Sequence, residues 1–271
     1  MKLKNLTLFT LAVALLSTAA RTASLLYTTE SSTGFFISRL STLGVMLSVL
    51  ILILTVIAAV FAFFVKEKAI SPFKPSSLSG IFAVLLGISF LLYSFGLGAH
   101  TYLIPWQHSL ETVTGILSGA WFIAFGLGAF VNIKLPKIAA ILPCIHSVMR
   151  LVVVFTSLST SALVAEHVFS LAYHVSVMVY MLNFGRFAAN EPSKNGSKFF
   201  FPITVTAFIF TATSVFSRLI VSLLGKPELI HGEVEIDITG IVLTVFMLLC
   251  AADICKENNE IKEADSDAVQ R

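Results

Sequence analysis

Apolar residues run in long blocks from Leu6 to Ile254, separated by short polar segments. A helix rising 1.5 Å per residue needs about 20 mostly apolar residues to cross a bilayer. Eight blocks meet or approach that length: Leu6–Tyr27, Leu43–Phe64, Leu78–His100, Thr112–Val131, Leu135–Phe155, Leu163–Phe184, Phe199–Leu224 and Ile238–Ile254. The pattern predicts an all-α, polytopic transmembrane bundle of eight spans over residues 1–255. Residues 256–271 are polar with acids in excess and read as a disordered cytoplasmic tail. Two blocks are irregular. The fifth contains Pro136 and Pro143 and follows the fourth after only Asn132–Ile133–Lys134, and the eighth is short and bracketed by Asp237 and Asp253.

The placement of charge tests this count. With the N-terminus inside, the outer loops hold only Arg39 and Lys226 of the chain's 18 lysines and arginines, and Arg21, Arg150 and Arg218 fall within spans. All the others lie in inner segments, as the lysine and arginine bias of cytoplasmic loops requires. Removing an interior span would invert the sides downstream and destroy that bias, so eight spans with both termini cytoplasmic are expected. Lys2, Lys4 and the run from Leu6 to Leu16 also fit a secretory signal ending near Ser17–Thr18–Ala19. The apolar run continues through Leu25 and Leu26 to Tyr27, which favours a span.

Composition agrees. The 271 residues are 56% hydrophobic and only 12% charged, and the mean hydropathy is +0.91. Soluble domains are about one quarter charged. A net charge of +3, read by position, carries no nucleic-acid signature. Cys144, Cys250 and Cys255 offer neither a disulfide framework nor zinc spacing. No cofactor, metal or catalytic residue is expected.

Most of the ionisable chemistry inside apolar blocks lies between Leu135 and Ala188: His146 and Arg150 in one span, Glu166, His167 and His174 in the next. Counted by rise per residue, Arg21, Arg150 and Arg218 reach one height in the outer half of the membrane. An arginine at the centre of a membrane helix costs about 2.5–3.5 kcal/mol on insertion scales. Two readings stay open: each snorkels to the interface, or all three face a shared cavity. Arg150 and Glu166, on antiparallel neighbours, are the expected ion pair. His146 shares a helix face with Arg150, and His146 and His174 arrive at nearly equal depth. The ligand-binding residues expected are Arg150, Glu166, Arg218, His174, His146 and Arg21. Gly87, Gly96, Gly98, Gly115, Gly119, Gly126 and Gly128 supply notches for close helix packing.

From Pro143 to Arg186 the chain resembles uncharacterised multi-pass membrane proteins of clostridia-type bacteria. The shared features are Pro143, Arg150 before an apolar run, a Ser/Thr-rich turn, Glu166 and an aromatic-rich helix ending near Arg186. The resemblance implies a module in a bacterial cytoplasmic membrane and carries no activity. Known intramembrane chemistries fit badly: Glu166 is not part of a glutamate pair, Ser118–Gly119 lacks a preceding glycine, and no span holds a lysine beyond its first turn. The favoured expectation is a non-enzymatic protein that binds or passes a small anionic solute through an outward-facing polar cavity. The alternative is a membrane sensor or assembly subunit whose buried charges lock helices and which contacts a membrane-protein partner or a second copy. An intramembrane enzyme or haem carrier is third. The lipid bilayer is the one partner common to all three readings.

Overall fold

The computed structural model describes residues 3–31, 33–65, 75–97, 105–131, 133, 135–158, 165–191, 196–230 and 236–269. These form eight helices: α1 (Leu3–Thr28), α2 (Ser41–Phe63), α3 (Ser77–Leu92), α4 (Pro105–Leu127), α5 (Leu142–Leu158), α6 (Ala165–Ala188), α7 (Gly196–Leu223) and α8 (Ile238–Val269). A π turn, Tyr93–Leu97, extends α3, and 3-10 turns occupy Lys137–Ile141 before α5 and Pro227–Leu229 after α7. The described residues contain no strand, only a single bridge between Thr29 and Phe36 where the chain turns from α1 to α2. Among the described residues, seven helices are long and apolar enough to cross a membrane. This is a multi-pass membrane protein with an all-α bundle.

The prolines that made the fifth block irregular sit where a helix tolerates them. Pro136 caps the 3-10 turn in extended conformation, and Pro143 lies in the first turn of α5, where a missing N–H costs no intrahelical bond. The apolar part of α8 is shorter, Ile238–Asp253, about 24 Å at the helical rise. Its bracketing acids explain how it still traverses the bundle. Asp237 accepts the amide of Gly240 at 2.8 Å, capping α8, and the Tyr173 hydroxyl at 3.1 Å. Asp253 accepts the Ser76 amide at 3.0 Å and the Ser79 hydroxyl at 2.6 Å, placing a carboxylate at the N-terminus of α3, where the helix dipole favours it. One acid is thus tied beside α6 and the other at the far end of α3.

Beyond Asp253 the helix continues to Val269, where the sequence reading placed a disordered tail. The segment holds no Gly or Pro and is rich in Glu, Lys and Ala, good helix formers. A lack of apolar period removes the drive to bury this segment, and leaves its helix propensity intact.

Successive helices alternate in direction. Phe63 at the end of α2 meets Phe199 at the start of α7, with rings 5.5 Å apart. Lys137 and Glu191 pair at 3.0 Å on the same end, which we term the basic end. α7 is central, with 72% of its apolar stretch buried, against 22% for the peripheral α2. The exposed faces of α2 are apolar, including Met46, Leu52 and Val56, as a lipid-facing helix requires.

α3 and α4 meet along a glycine seam. A Cβ added to Gly87 would lie 2.5 Å from the Gly119 carbonyl oxygen, and one on Gly119 would lie 2.7 Å from the Gly87 oxygen. Gly80 and Gly126 oppose each other in the same way. The notches therefore serve packing inside the chain. Beneath them an aromatic core joins Trp121, Phe122, Phe125, Tyr180, Phe184 and Phe246 through stacked and edge-on contacts.

Candidate functional site

α4 and α5 run antiparallel and are joined by a ladder of polar contacts. Gln107 donates through Nε2 to Thr156 Oγ1 at 3.1 Å. Arg150 Nη1 pairs with Glu111 Oε1 at 2.7 Å. Thr114 Oγ1 lies 3.3 Å from His146 Nδ1, and Ser118 Oγ donates to the Leu142 carbonyl at 2.9 Å. Positions 107, 111, 114 and 118 share one face at helical spacing. Interhelical hydrogen bonds in membranes average only about 0.6 kcal/mol, so the ladder serves register and orientation more than stability.

Arg150 is the rung that opens on space. Its side chain is 23% exposed while that of Glu111 is 3% exposed, so the pair turns its cationic half outward. The guanidinium also lies 4.7 Å above the Tyr93 ring, and Tyr93 is carried there by the π turn that ends α3. A single π turn shifts the side chains that follow it, a device common at functional sites.

The space is a cavity of about 60 Å³ between α3, α5, α6 and α8. Arg150, His146, Tyr173, His174 and Asp237 give it polar walls, and Phe90, Val177 and Leu243 give it apolar ones. Room of that size admits a few waters or one small solute. Two histidines from different helices, His146 on α5 and His174 on α6, thus line one cavity.

Their tautomers follow from their partners. His174 Nδ1 is 2.8 Å from the Ser170 carbonyl, which can only accept, so Nδ1 carries the proton. The Thr114 hydroxyl proton is taken by the carbonyls of Leu110 at 2.8 Å and Glu111 at 3.1 Å. Its oxygen is left to accept from His146 Nδ1. We therefore assign Nε2 as the basic nitrogen of both rings. The His146 ring is held edge-on to Phe90 at 5.0 Å and close to Gly115, where a Cβ would come within 3.3 Å of Cε1.

The other expected residues fall elsewhere. Arg21 is 1% exposed and lies 4.2 Å above the Phe169 ring. Arg21 is not among the residues that line the cavity. Arg218 on α7 is also 1% exposed and does not line the cavity. Both lie in the bundle interior rather than snorkelling to the interface, and the three arginines do not share this cavity. The side chain of Glu166 lies outside the described residues, as do those of His167 and Cys255. The carboxylate the structure brings to Arg150 is Glu111.

Glu111 and Asp237 are not among the binding residues expected from the sequence. Hydropathy started the fourth span at Thr112, whereas α4 begins at Pro105, which puts Glu111 well inside the helix. The signal was present in the polar stripe Gln107, Glu111, Thr114 and Ser118. Among the described residues no group of three or more His, Cys, Asp or Glu is arranged to hold a metal ion. Comparison with family models, curated proteins and solved structures finds no match to this chain, so its function is argued from the site alone.

Proposed function

We propose that the cavity binds a small oxyanion of the carboxylate or phosphate class, and that a proton enters with it. The observation that carries this is the convergence of the outward half of the Arg150–Glu111 pair with two imidazoles whose basic nitrogen is Nε2. Arginine offers an oxyanion a planar, two-pronged donor. The charge count adds the proton. With both rings neutral, Arg150, Glu111 and Asp237 sum to minus one, which opposes an anion. Protonating an imidazole supplies a positive charge and turns Nε2 from acceptor to donor. The groups facing the two rings are Tyr93 from the end of α3, Glu111 from α4, Arg150 from α5, Tyr173 from α6 and Asp237 from α8.

The lysine and arginine asymmetry supports placing the basic end in the cytoplasm and the cavity toward the outside of a cytoplasmic membrane. The activity is solute binding or passage rather than catalysis. The test is thermal stabilisation of the purified protein by acetate and by phosphate, at about pH 6 and about pH 8, because a site that takes up a proton with its anion binds it better at the lower pH. Stabilisation should be larger at the lower pH. It should vanish in Arg150→Met combined with Glu111→Gln, which leaves no lone charge, and persist in Lys198→Gln at the basic end. No stabilisation of the wild type, or its survival in the double variant, overturns the proposal. The result would then favour an assembly subunit, for which the 2.7 Å bond between α4 and α5 serves only to fix helix positions.

A further inference from the structure

A second concavity lies at the basic end, on the outer surface of the bundle between the 3-10 turn before α5 and the end of α6. It encloses about 510 Å³ and is walled by Ile138, Ile141 and Leu182, with Lys137, Arg186 and Glu191 at its mouth. Its floor is thin because Gly185 lets α6 approach the Ala140 carbonyl. The walls face outward: Ile138 is 82% exposed, an apolar side chain that only hydrocarbon would cover. Lys137 is tied to Glu191 at 3.0 Å. The Arg186 guanidinium makes no hydrogen bond or ion pair with any described residue.

We infer that this groove holds an anionic phospholipid of the phosphatidylglycerol type, its phosphodiester on Arg186 and Lys137 and an acyl chain along Ile138, Ile141 and Leu182. Two observations select that occupant. An apolar wall beginning beneath paired basic residues matches the order of headgroup and chain in a leaflet. The mouth carries two cations and one carboxylate, a net charge of plus one, which a single phosphodiester with no compensating amine neutralises. A zwitterionic lipid brings its own cation and gains less. Basic pockets between membrane helices at the cytoplasmic side are suited to such headgroups. The groove shares no lining residue with the cavity, and the inference does not depend on the function proposed there.

Native mass spectrometry of the full chain tests this, with phosphatidylglycerol, phosphatidylcholine and inorganic phosphate as probes. Wild type should retain phosphatidylglycerol over phosphatidylcholine by about fivefold, from the electrostatic gain of two basic residues less the offset of Glu191. Inorganic phosphate should not displace it. Lys137→Gln with Arg186→Gln should abolish the preference, while Lys198→Gln keeps it. In an otherwise native chain, Ile138→p-benzoylphenylalanine should cross-link phosphatidylglycerol in preference to phosphatidylcholine. Equal retention of the two lipids, displacement by phosphate, or an unchanged preference in the double variant overturns the inference. So does cross-linking without preference.

Discussion

Replacing Arg150 by methionine keeps the length of the side chain and removes its charge, which leaves Glu111 facing α5 without that cation. Glu111 is 3% exposed, and removing one partner of a buried pair costs about 3–5 kcal/mol because the remaining charge is stranded. The reverse change, Glu111→Gln, is milder. Arg150 is 23% exposed, lines the cavity, and keeps the Tyr93 ring beneath it. The loss there is that of a hydrogen bond to a charged group, about 1.5–3 kcal/mol. The double variant strands no charge, so its cost falls below the sum of the two by about 1–3 kcal/mol. Equilibrium unfolding in mixed micelles, followed by helical circular dichroism, reads all three. Equal costs for the two single changes, or strict additivity in the double, would refute the assignment of Glu111 as the partner that matters.

Gly119→Ala should destabilise by about 1–3 kcal/mol in the same assay, because its Cβ meets the Gly87 carbonyl at 2.7 Å and both sides of the contact are backbone. A cost near zero would mean that α3 and α4 are free to separate. Asp253→Ala should cost about 0.5–2 kcal/mol, the range of a lost helix cap, and should speed amide exchange in the first turn of α3 while leaving its last turn unchanged. Asp237→Asn, whose amide oxygen can still cap Gly240, should strengthen acetate binding, since it removes from the cavity wall a negative charge that opposes the anion. Unchanged or weaker binding would remove Asp237 from the charge balance of the cavity.

What could be read from the sequence followed from one-dimensional quantities. Block length sets the number of helices, and rise per residue sets depth, so His146 and His174 were placed at one level before any coordinates. The four-residue spacing of His146 and Arg150 likewise put both on one face, and they do line one cavity. Depth says nothing about the direction a side chain faces once a helix packs between several neighbours. That is why Arg21, Arg150 and Arg218 are grouped by height in the sequence although only Arg150 lines the cavity, Arg21 lying over the Phe169 ring. Hydropathy also trims helices where polar residues are inside rather than at an end. It excluded Glu111 from the fourth span, and it read Asp237 and Asp253 as limits of the eighth when they act as its ties to Tyr173 and Ser79.

The central claim is that an oxyanion and a proton enter the cavity together, and counting protons tests it most directly. Acetate binding to the wild-type protein is measured by titration calorimetry at about pH 7 in two buffers of different ionisation enthalpy, the free cavity starting with both imidazoles neutral. The account predicts that the apparent enthalpy changes with buffer by an amount equal to uptake of about one proton per anion, and that His146→Gln with His174→Gln reduces this to near zero. Binding with no buffer dependence in the wild type, or proton release instead of uptake, would contradict it.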